Sequence, residues 1–124
     1  MSTTRPQLLH LALADEWAQA LPVGSYDRST RGMSLGEVGF VHCSYPHQVE
    51  AVAARFYDDL LDDRDVILLV LHLDPERLDV NVVEEDLEGA GELFPHVYGP
   101  IPVEAVVRTE PMVRVDGAWR LALS

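Results

Sequence analysis

Lysine is absent from this 124-residue sequence: its nine basic residues are all arginines, set against 21 acidic residues, for a formal net charge of −12. Without lysine the chain can form neither a Schiff base with a carbonyl substrate nor a Walker-type phosphate loop. A surface this acidic repels phosphate backbones, so nucleic acid is not expected as the main partner. A few converging arginines could still bind a small anion.

Cysteine and long apolar runs are equally scarce. The single cysteine, Cys43, cannot form an internal disulfide, which removes the case for a secreted disulfide scaffold. The longest apolar run, Val66–Leu71, is far too short to cross a bilayer, and residues 1–6 lack the apolar centre of a signal peptide. We therefore predict a cytoplasmic protein without a membrane partner, folded as a single domain over residues 1–124 with a flexible N-terminus at residues 1–6.

What is present is a succession of short strand-like segments with two helices in the first half. Strands are predicted at Gln7–Ala12, Phe40–Cys43, Val66–Leu73, Val80–Glu84 and Val106–Thr109, helices at Asp15–Leu21 and His47–Leu61, and a long polar loop at Val23–Glu37. Val66–Leu73 is almost continuously apolar, interrupted only by His72, which is typical of a central strand buried on both faces. The Asp116-Gly117 pair between two alternating runs predicts a hairpin. This order indicates an α+β fold with a split, mixed or antiparallel sheet and two helices.

The strand Phe40–Cys43 carries the first candidate site residue. Side chains alternate along a strand, so Phe40 and His42 share one face while Val41 and Cys43 share the other. His42 lies at the end of the strand, just before Ser44, where a histidine can border a cleft. Cys43 is predicted to point into the core.

Two further regions hold titratable side chains next to apolar ones. His10 shares a strand face with Leu8 and Ala12, so it is either a core histidine or a site residue. Glu92 follows a glycine-rich loop and is expected to enter an apolar stretch, where a carboxylate could gain a raised pKa and act as a base or orient a ribose hydroxyl. His96 and Tyr98 follow it in a proline-rich segment and, with Ser44, are candidate ligand contacts.

Three chemical arrangements are compatible with these residues. His10, His42 and His96 could bind zinc, but none are paired at the short spacing usual for such sites, and no metal is expected. Cys43 could pair with a histidine as a nucleophile, although Cys43 and His42 point to opposite faces. The third arrangement places His10, His42 and Glu92 around a nucleotide-sized cleft.

Two segments closely resemble the signatures of a bacterial family, domain of unknown function 952. They are Gly39-Phe-Val-His-Cys-Ser44, followed by Gln48-Val49, and Gly91-Glu-Leu-Phe-Pro-His-Val-Tyr-Gly-Pro-Ile-Pro102. The resemblance covers Leu8 to Met112, and the family brings no established activity.

A more distant resemblance is to the ADP-ribosyltransferase fold, as in small rifamycin-modifying transferases and poly(ADP-ribose) polymerases. His10 matches the histidine of their His-Gly-Thr motif, although Leu11-Ala12 replaces Gly-Thr. His42 stands where a stacking tyrosine would be, and Glu92 resembles the catalytic glutamate near a late strand.

This resemblance implies NAD as a substrate and a role for each matched residue. His10 would hydrogen-bond the nicotinamide-side ribose, His42 would stack on or hydrogen-bond the nicotinamide, and Glu92 would hold the ribose and stabilise the developing positive charge. The loop residues Tyr26, Arg28 and Arg31 would contact the pyrophosphate.

Three functions therefore stay open: an NAD-dependent ADP-ribosyl transferase or glycohydrolase acting on a small molecule or protein, a non-catalytic module that binds a nucleotide or other small molecule, and a hydrolase with His42 or His96 as base. The oligomeric state is not predicted.

Overall fold

The computed structural model describes residues 7–30, 33–87 and 89–122, so the expected flexible N-terminus at residues 1–6 lies outside the described residues. In chain order the elements are β1 (Leu8–Leu13), α1 (Ala14–Ala20), β2 (Ser25–Tyr26), β3 (Arg28–Thr30), β4 (Met33–Ser34), α2 (Leu35–Val38), β5 (Val41–His42), α3 (Val49–Tyr57), β6 (Leu68–Leu73), β7 (Val82–Glu85), β8 (Phe94–Val97), β9 (Ile101–Pro102), β10 (Val106–Pro111), β11 (Val113–Val115) and β12 (Ala118–Arg120). Short 3₁₀ turns occupy Asp58–Leu60, Pro75–Arg77 and Val103–Ala105.

The main sheet has the strand order β1-β6-β10, with β6 in the centre. Both of its pairings are antiparallel, and β1 runs from Leu8 opposite Leu73 to Leu13 opposite Leu68. The apolar character of β6 follows from this position, because its side chains contact a hydrophobic layer on each face of the sheet. The predicted central strand is therefore confirmed.

The second sheet has the order β5-β8-β7, also antiparallel, and places His42 directly opposite His96. The two sheets meet at one isolated bridge between Leu9 and Ser44. Each residue of that bridge donates its backbone N–H to the carbonyl of the other at 2.7 Å. The fold is thus α+β with a split antiparallel sheet, and the described strands form no parallel pair.

Two hydrophobic layers cover the main sheet. On one face, the buried residues include Leu71, Tyr26 and Val41. On the other face, Leu9 and Val70 pack against α3 and the C-terminal hairpin. Because consecutive residues of a strand face opposite sides, neighbours such as Leu8 and Leu9 belong to different layers.

The predicted polar loop at Val23–Glu37 is wrong in its internal structure. It contains the short strands β2, β3 and β4 and the four-residue helix α2, so the described chain has three helices rather than two. Helix α2 begins with a capping box, in which the Ser34 hydroxyl accepts from the Glu37 backbone and the Glu37 carboxylate accepts from the Ser34 backbone. It ends at Gly39, whose φ of 97° is the left-handed conformation that glycine adopts without strain.

The other predictions hold with shifted ends. The predicted helix at His47–Leu61 is shorter, Val49–Tyr57, because the chain after it tightens into a 3₁₀ turn. The C-terminal hairpin is confirmed: β11 pairs with β12, and both Asp116 and Gly117 between them have positive φ. Within the described ranges, no helix is long and apolar enough to span a membrane.

Arg114 of β11 stabilises the acidic turn that follows α3 by hydrogen bonds to its backbone. Its guanidinium donates to the backbone carbonyls of Leu61, Asp63 and Val66 at 2.7, 2.7 and 3.0 Å. The same group lies 4.5 Å from the centre of the Trp119 ring. A planar guanidinium can donate to several carbonyls at once. It therefore supplies hydrogen bonds to backbone carbonyls of a turn that has little regular secondary structure of its own.

Replacing Arg114 by lysine should lower the free energy of unfolding by about 2 kcal/mol, because a single ammonium cannot reach all three carbonyls. The exposed Arg64 of the same turn offers a matched control, and Arg64→Lys should change the value by less than about 0.5 kcal/mol. Urea unfolding measures both. Equal effects of the two substitutions would contradict the stabilising role of Arg114.

Candidate functional site

His42 lies where the two sheets meet. Its neighbours Val41 and Cys43 are fully buried in the hydrophobic layer that contains Tyr26, so the His42 ring faces the opposite side. Its backbone carbonyl accepts a hydrogen bond from the His10 ring at 2.7 Å, and its backbone N–H donates to the Ser29 hydroxyl at 3.3 Å. The main chain of His42 is therefore held from two directions.

Both ring nitrogens of His10 are engaged inside the protein. Because a carbonyl can only accept, His10 Nδ1 carries the proton that it donates to His42, and Nε2 accepts from the Tyr26 hydroxyl at 3.2 Å. Burial lowers the pKa of His10 from 6.5 to about 4, against a smaller raising effect of the bond to His42. His10 is thus a neutral, fully engaged ring.

Aromatic rings surround the side chain of His42. The ring centres of Phe94, His96 and Phe56 lie 5.1, 5.3 and 6.1 Å from that of His42. Burial, together with smaller contributions from the nearby His96, His10 and Arg55, lowers the pKa of His42 from 6.5 to about 4. At neutral pH the ring is therefore an uncharged wall.

His96 belongs to a second cluster, which consists of His96, Glu85, Tyr98 and Phe40 and which we call the Glu85 cluster. Its Nδ1–H donates to Glu85 at 2.9 Å, and the Tyr98 hydroxyl donates to the same carboxylate oxygen. These bonds lower the pKa of Glu85, that from Tyr98 more than that from His96. Phe40 stacks on the His96 ring at 4.1 Å between ring centres. Among the described residues, His96 Nε2 is buried and has no hydrogen-bond partner.

A groove opens on the α3 side of His42. Its cavity volume is about 120 Å³, and its lining combines two aromatic rings with charged groups: His42, Ala51, Val52, Arg55, Phe56, Ala90, Glu92 and Phe94. We call this space the His42 groove. A smaller cavity of about 10 Å³ also borders His42. Its lining includes His10, Ser29 and Ser44, and it has room for about one water molecule.

Glu92 is an exposed residue of the His42 groove lining, at what we call the mouth of the groove, and a hydrogen bond holds its side chain in place. Gln48 Nε2 donates to Glu92 Oε1 and to the Leu93 carbonyl, both at 2.8 Å, while Gln48 Oε1 accepts from the Tyr45 backbone at 3.0 Å. The prediction that Glu92 enters an apolar stretch is wrong, because Glu92 and Leu93 are both exposed and burial begins at Phe94.

The predicted site residues thus divide among neighbouring spaces around His42. Glu92 shares the His42 groove, whereas His10 and Ser44 lie beside the smaller cavity. His96 and Tyr98 belong to the Glu85 cluster and do not line the groove.

The predicted pyrophosphate contacts lie elsewhere. Tyr26 and Arg28 border a separate cavity of about 220 Å³ on the α1 side. There the guanidinium of Arg28 is 3.6 Å from the Glu16 carboxylate, and the hydroxyl of the buried Tyr26 supports His10. Neither residue lines the His42 groove. Arg31 lies outside the described residues.

Two alternatives lose support. Cys43 is fully buried, burial raises the pKa of its thiol, and its side chain faces away from His42, so it is a core residue rather than a nucleophile. A zinc site from His10, His42 and His96 is not assembled: over residues 7–30, 33–87 and 89–122, no three potential ligands form a cluster suited to a metal ion.

The sequence interpretation missed Gln48, Arg55 and Phe56, which all come from α3 or the residue before it. The signal was present: Gln48, Val52 and Phe56 are spaced four residues apart, and Arg55 flanks the same helix face. Their approach to His42 depends on how α3 packs on the sheet, which periodicity alone does not determine.

Comparison with known proteins supports the fold. The profile of a family described as "Protein of unknown function (DUF952)" matches residues 11–109. A crystal structure of CC0527 from Caulobacter crescentus is similar, with 25% identity over 92% of this chain and 93% of that chain and a TM-score of 0.74. The solution NMR structure of CC0527 gives 24% identity, coverage of 91% and 90%, and a TM-score of 0.70. No curated protein matches.

The geometry predicts the protonation of His10. In ¹⁵N-edited NMR spectra, the His10 ring should be the neutral Nδ1–H tautomer near neutral pH and should titrate near pH 4 rather than 6.5. Because the unfolded chain then binds more protons than the folded one, His10 should make the protein less stable as pH falls from 6.5 toward 4. An Nε2–H tautomer at His10 would contradict the assignment.

Gln48 should control the order of the segment at the mouth of the groove. Gln48→Glu replaces the donor to Glu92 with a second carboxylate, so amide hydrogen exchange of residues 90–93 should accelerate about tenfold. Adding Glu92→Gln restores a donor opposite an acceptor and should recover part of the protection. Gln19→Glu, on the exposed face of α1, is the matched control, and equal exchange in the two single variants would contradict this role.

Proposed function

The chain belongs to the DUF952 family, and from the geometry of the His42 groove we propose that it binds NAD there and acts as an ADP-ribosyl transferase or glycohydrolase. One observation carries the proposal: His42 and Glu92 line the same groove. The proposal also draws on the sequence resemblance to ADP-ribosyltransferases, and the described fold is α+β with a split antiparallel sheet. The fold alone would not assign an activity.

The chemistry assigned to Glu92 is electrostatic. When the glycosidic bond between ribose C1′ and the nicotinamide nitrogen breaks, its electron pair leaves with the nicotinamide, and positive charge develops on the ribose. A carboxylate fixed at the mouth of the groove stabilises that charge and holds a ribose hydroxyl. Water or an acceptor hydroxyl or amine then bonds to C1′ and releases a proton. Gln48 contributes by fixing Glu92 before the substrate arrives.

His42 and His10 take different parts in this proposal. The neutral His42 ring, with Phe94 and Phe56 nearby, provides a flat contact for the nicotinamide. His10 cannot offer a nitrogen to the ribose while it holds the His42 carbonyl and accepts from Tyr26. We therefore assign His10 to the support of His42 instead of to the ribose contact that the resemblance to ADP-ribosyltransferases implies.

A second candidate is a binding module without catalysis. Leu11 and Ala12 stand where the transferases have Gly-Thr, and both are buried in the hydrophobic layers. The backbone after His10 is therefore covered by packed side chains, which favours binding without the close backbone contact of the enzymes. The hydrolase hypothesis is weaker: a ring with a pKa near 4 is a poor base at neutral pH, and His96 does not line the groove.

The test is release of free nicotinamide from NAD by the purified protein, together with thermal unfolding at millimolar NAD. The proposal predicts both release and stabilisation, with release about a hundredfold slower in Glu92→Gln. Glu76→Gln, which replaces an exposed carboxylate outside the groove, is the control.

The outcomes separate the candidates. Stabilisation without nicotinamide release supports the binding module. Release that persists unchanged in Glu92→Gln contradicts the role of Glu92. The absence of both release and stabilisation would overturn the proposal that NAD is the ligand.

A further inference from the structure

Residues of opposite charge line the His42 groove: Glu92 and Arg55 both belong to its lining, together with Phe56 and Phe94. We propose that the groove selects a zwitterionic ligand, a flat cationic ring joined to one anionic group, the class of an N-ribosylated pyridinium mononucleotide. This proposal rests on the proposed function, because it uses the same groove as the binding site. It specifies in addition the charge and the size of the part of the ligand that the groove holds.

Size limits how much of a ligand the groove can enclose. A volume of about 120 Å³ is small beside the roughly 300–1,000 Å³ of pockets that bury a drug-sized molecule. It suits a single ring with its nearest substituents. The second half of a dinucleotide would therefore lie outside the groove, and recognition would rest on the mononucleotide half.

The lining suits a ring that carries positive charge. Phe94 and Phe56 present aromatic surfaces, and the ring of His42 lies 5.1 Å from that of Phe94. A cation near aromatic faces gains electrostatic attraction from them. His42 does not oppose it, because the ring is neutral at physiological pH, and the carboxylate of Glu92 adds a full opposite charge at the mouth.

Arg55 accounts for the anionic end. It lies on α3 one residue before Phe56, and its guanidinium is 5.2 Å from the Phe56 ring centre, so it borders the aromatic part of the groove. Guanidinium groups bind phosphate through paired, charge-assisted hydrogen bonds. The net charge of −12 acts against each further phosphate, so one anionic group is favoured over two.

Isothermal titration with three probes separates the two charges. Nicotinamide mononucleotide has the cationic ring and the phosphate; nicotinamide riboside lacks the phosphate; reduced nicotinamide mononucleotide keeps the phosphate but has a neutral ring. We expect nicotinamide mononucleotide to bind about tenfold tighter than each of the others. Arg55→Gln should abolish the advantage over the riboside, and Glu92→Gln the advantage over the reduced compound.

Arg77→Gln and Glu76→Gln remove the same charges outside the groove and should leave both preferences intact. The proposal is overturned if nicotinamide mononucleotide fails to bind at millimolar concentration, if either analogue binds as tightly, or if the preferences survive in the groove variants. Nicotinamide release from NAD is scored separately. Intact charge preferences without release would sustain this inference while the catalytic proposal fails, and release without charge preferences would do the reverse.

Discussion

The hydrogen bond from the His10 ring to the backbone carbonyl of His42 is the contact on which the site depends. At 2.7 Å and with His10 almost fully buried, it fixes the main chain of the short strand β5 against β1. The neighbouring bridge between Leu9 and Ser44 joins β1 to the chain just after β5. A two-residue strand has little pairing energy of its own, so these contacts hold His42 between the sheets. The Tyr26 hydroxyl keeps His10 in the tautomer that this bond requires.

Some polar residues near His42 pair with one another or with the backbone, and others line the groove. His10, Tyr26 and Ser29 satisfy one another or the backbone and offer little to a ligand. The polar residues that line the groove are His42, Glu92 and Arg55. Buried polar groups are costly unless paired, and this explains why the buried His10 serves the scaffold.

Local signals made the framework of the fold predictable. The nearly continuous apolar run of β6, the Asp116-Gly117 turn and the periodicity of α3 each depend on neighbours in sequence. The segment at residues 23–37 was not predictable in the same way: β2 is a strand only because Ser25 and Tyr26 pair with Pro102 and Ile101 far along the chain. Because it contains many polar residues and glycines, rules based on neighbouring residues predict a loop there.

The site was predictable only in part, for a related reason. Alternation along β5 separated His42 from Cys43 correctly, because that rule is local. The approach of Gln48 to Glu92 joins residues 44 positions apart, and the engagement of both His10 nitrogens requires partners on two other strands. Such contacts are set by sheet geometry and helix packing, which residue patterns alone do not contain.

The central claim is that the ligand's ring lies in the His42 groove. The most direct measurement is a set of intermolecular nuclear Overhauser effects between the ring protons of bound nicotinamide mononucleotide and the protein's side chains. The account predicts contacts to Phe94, Phe56 and His42, which line the groove. Contacts that instead concentrate on the α1-side cavity bordered by Gln19 and Arg28 would contradict it.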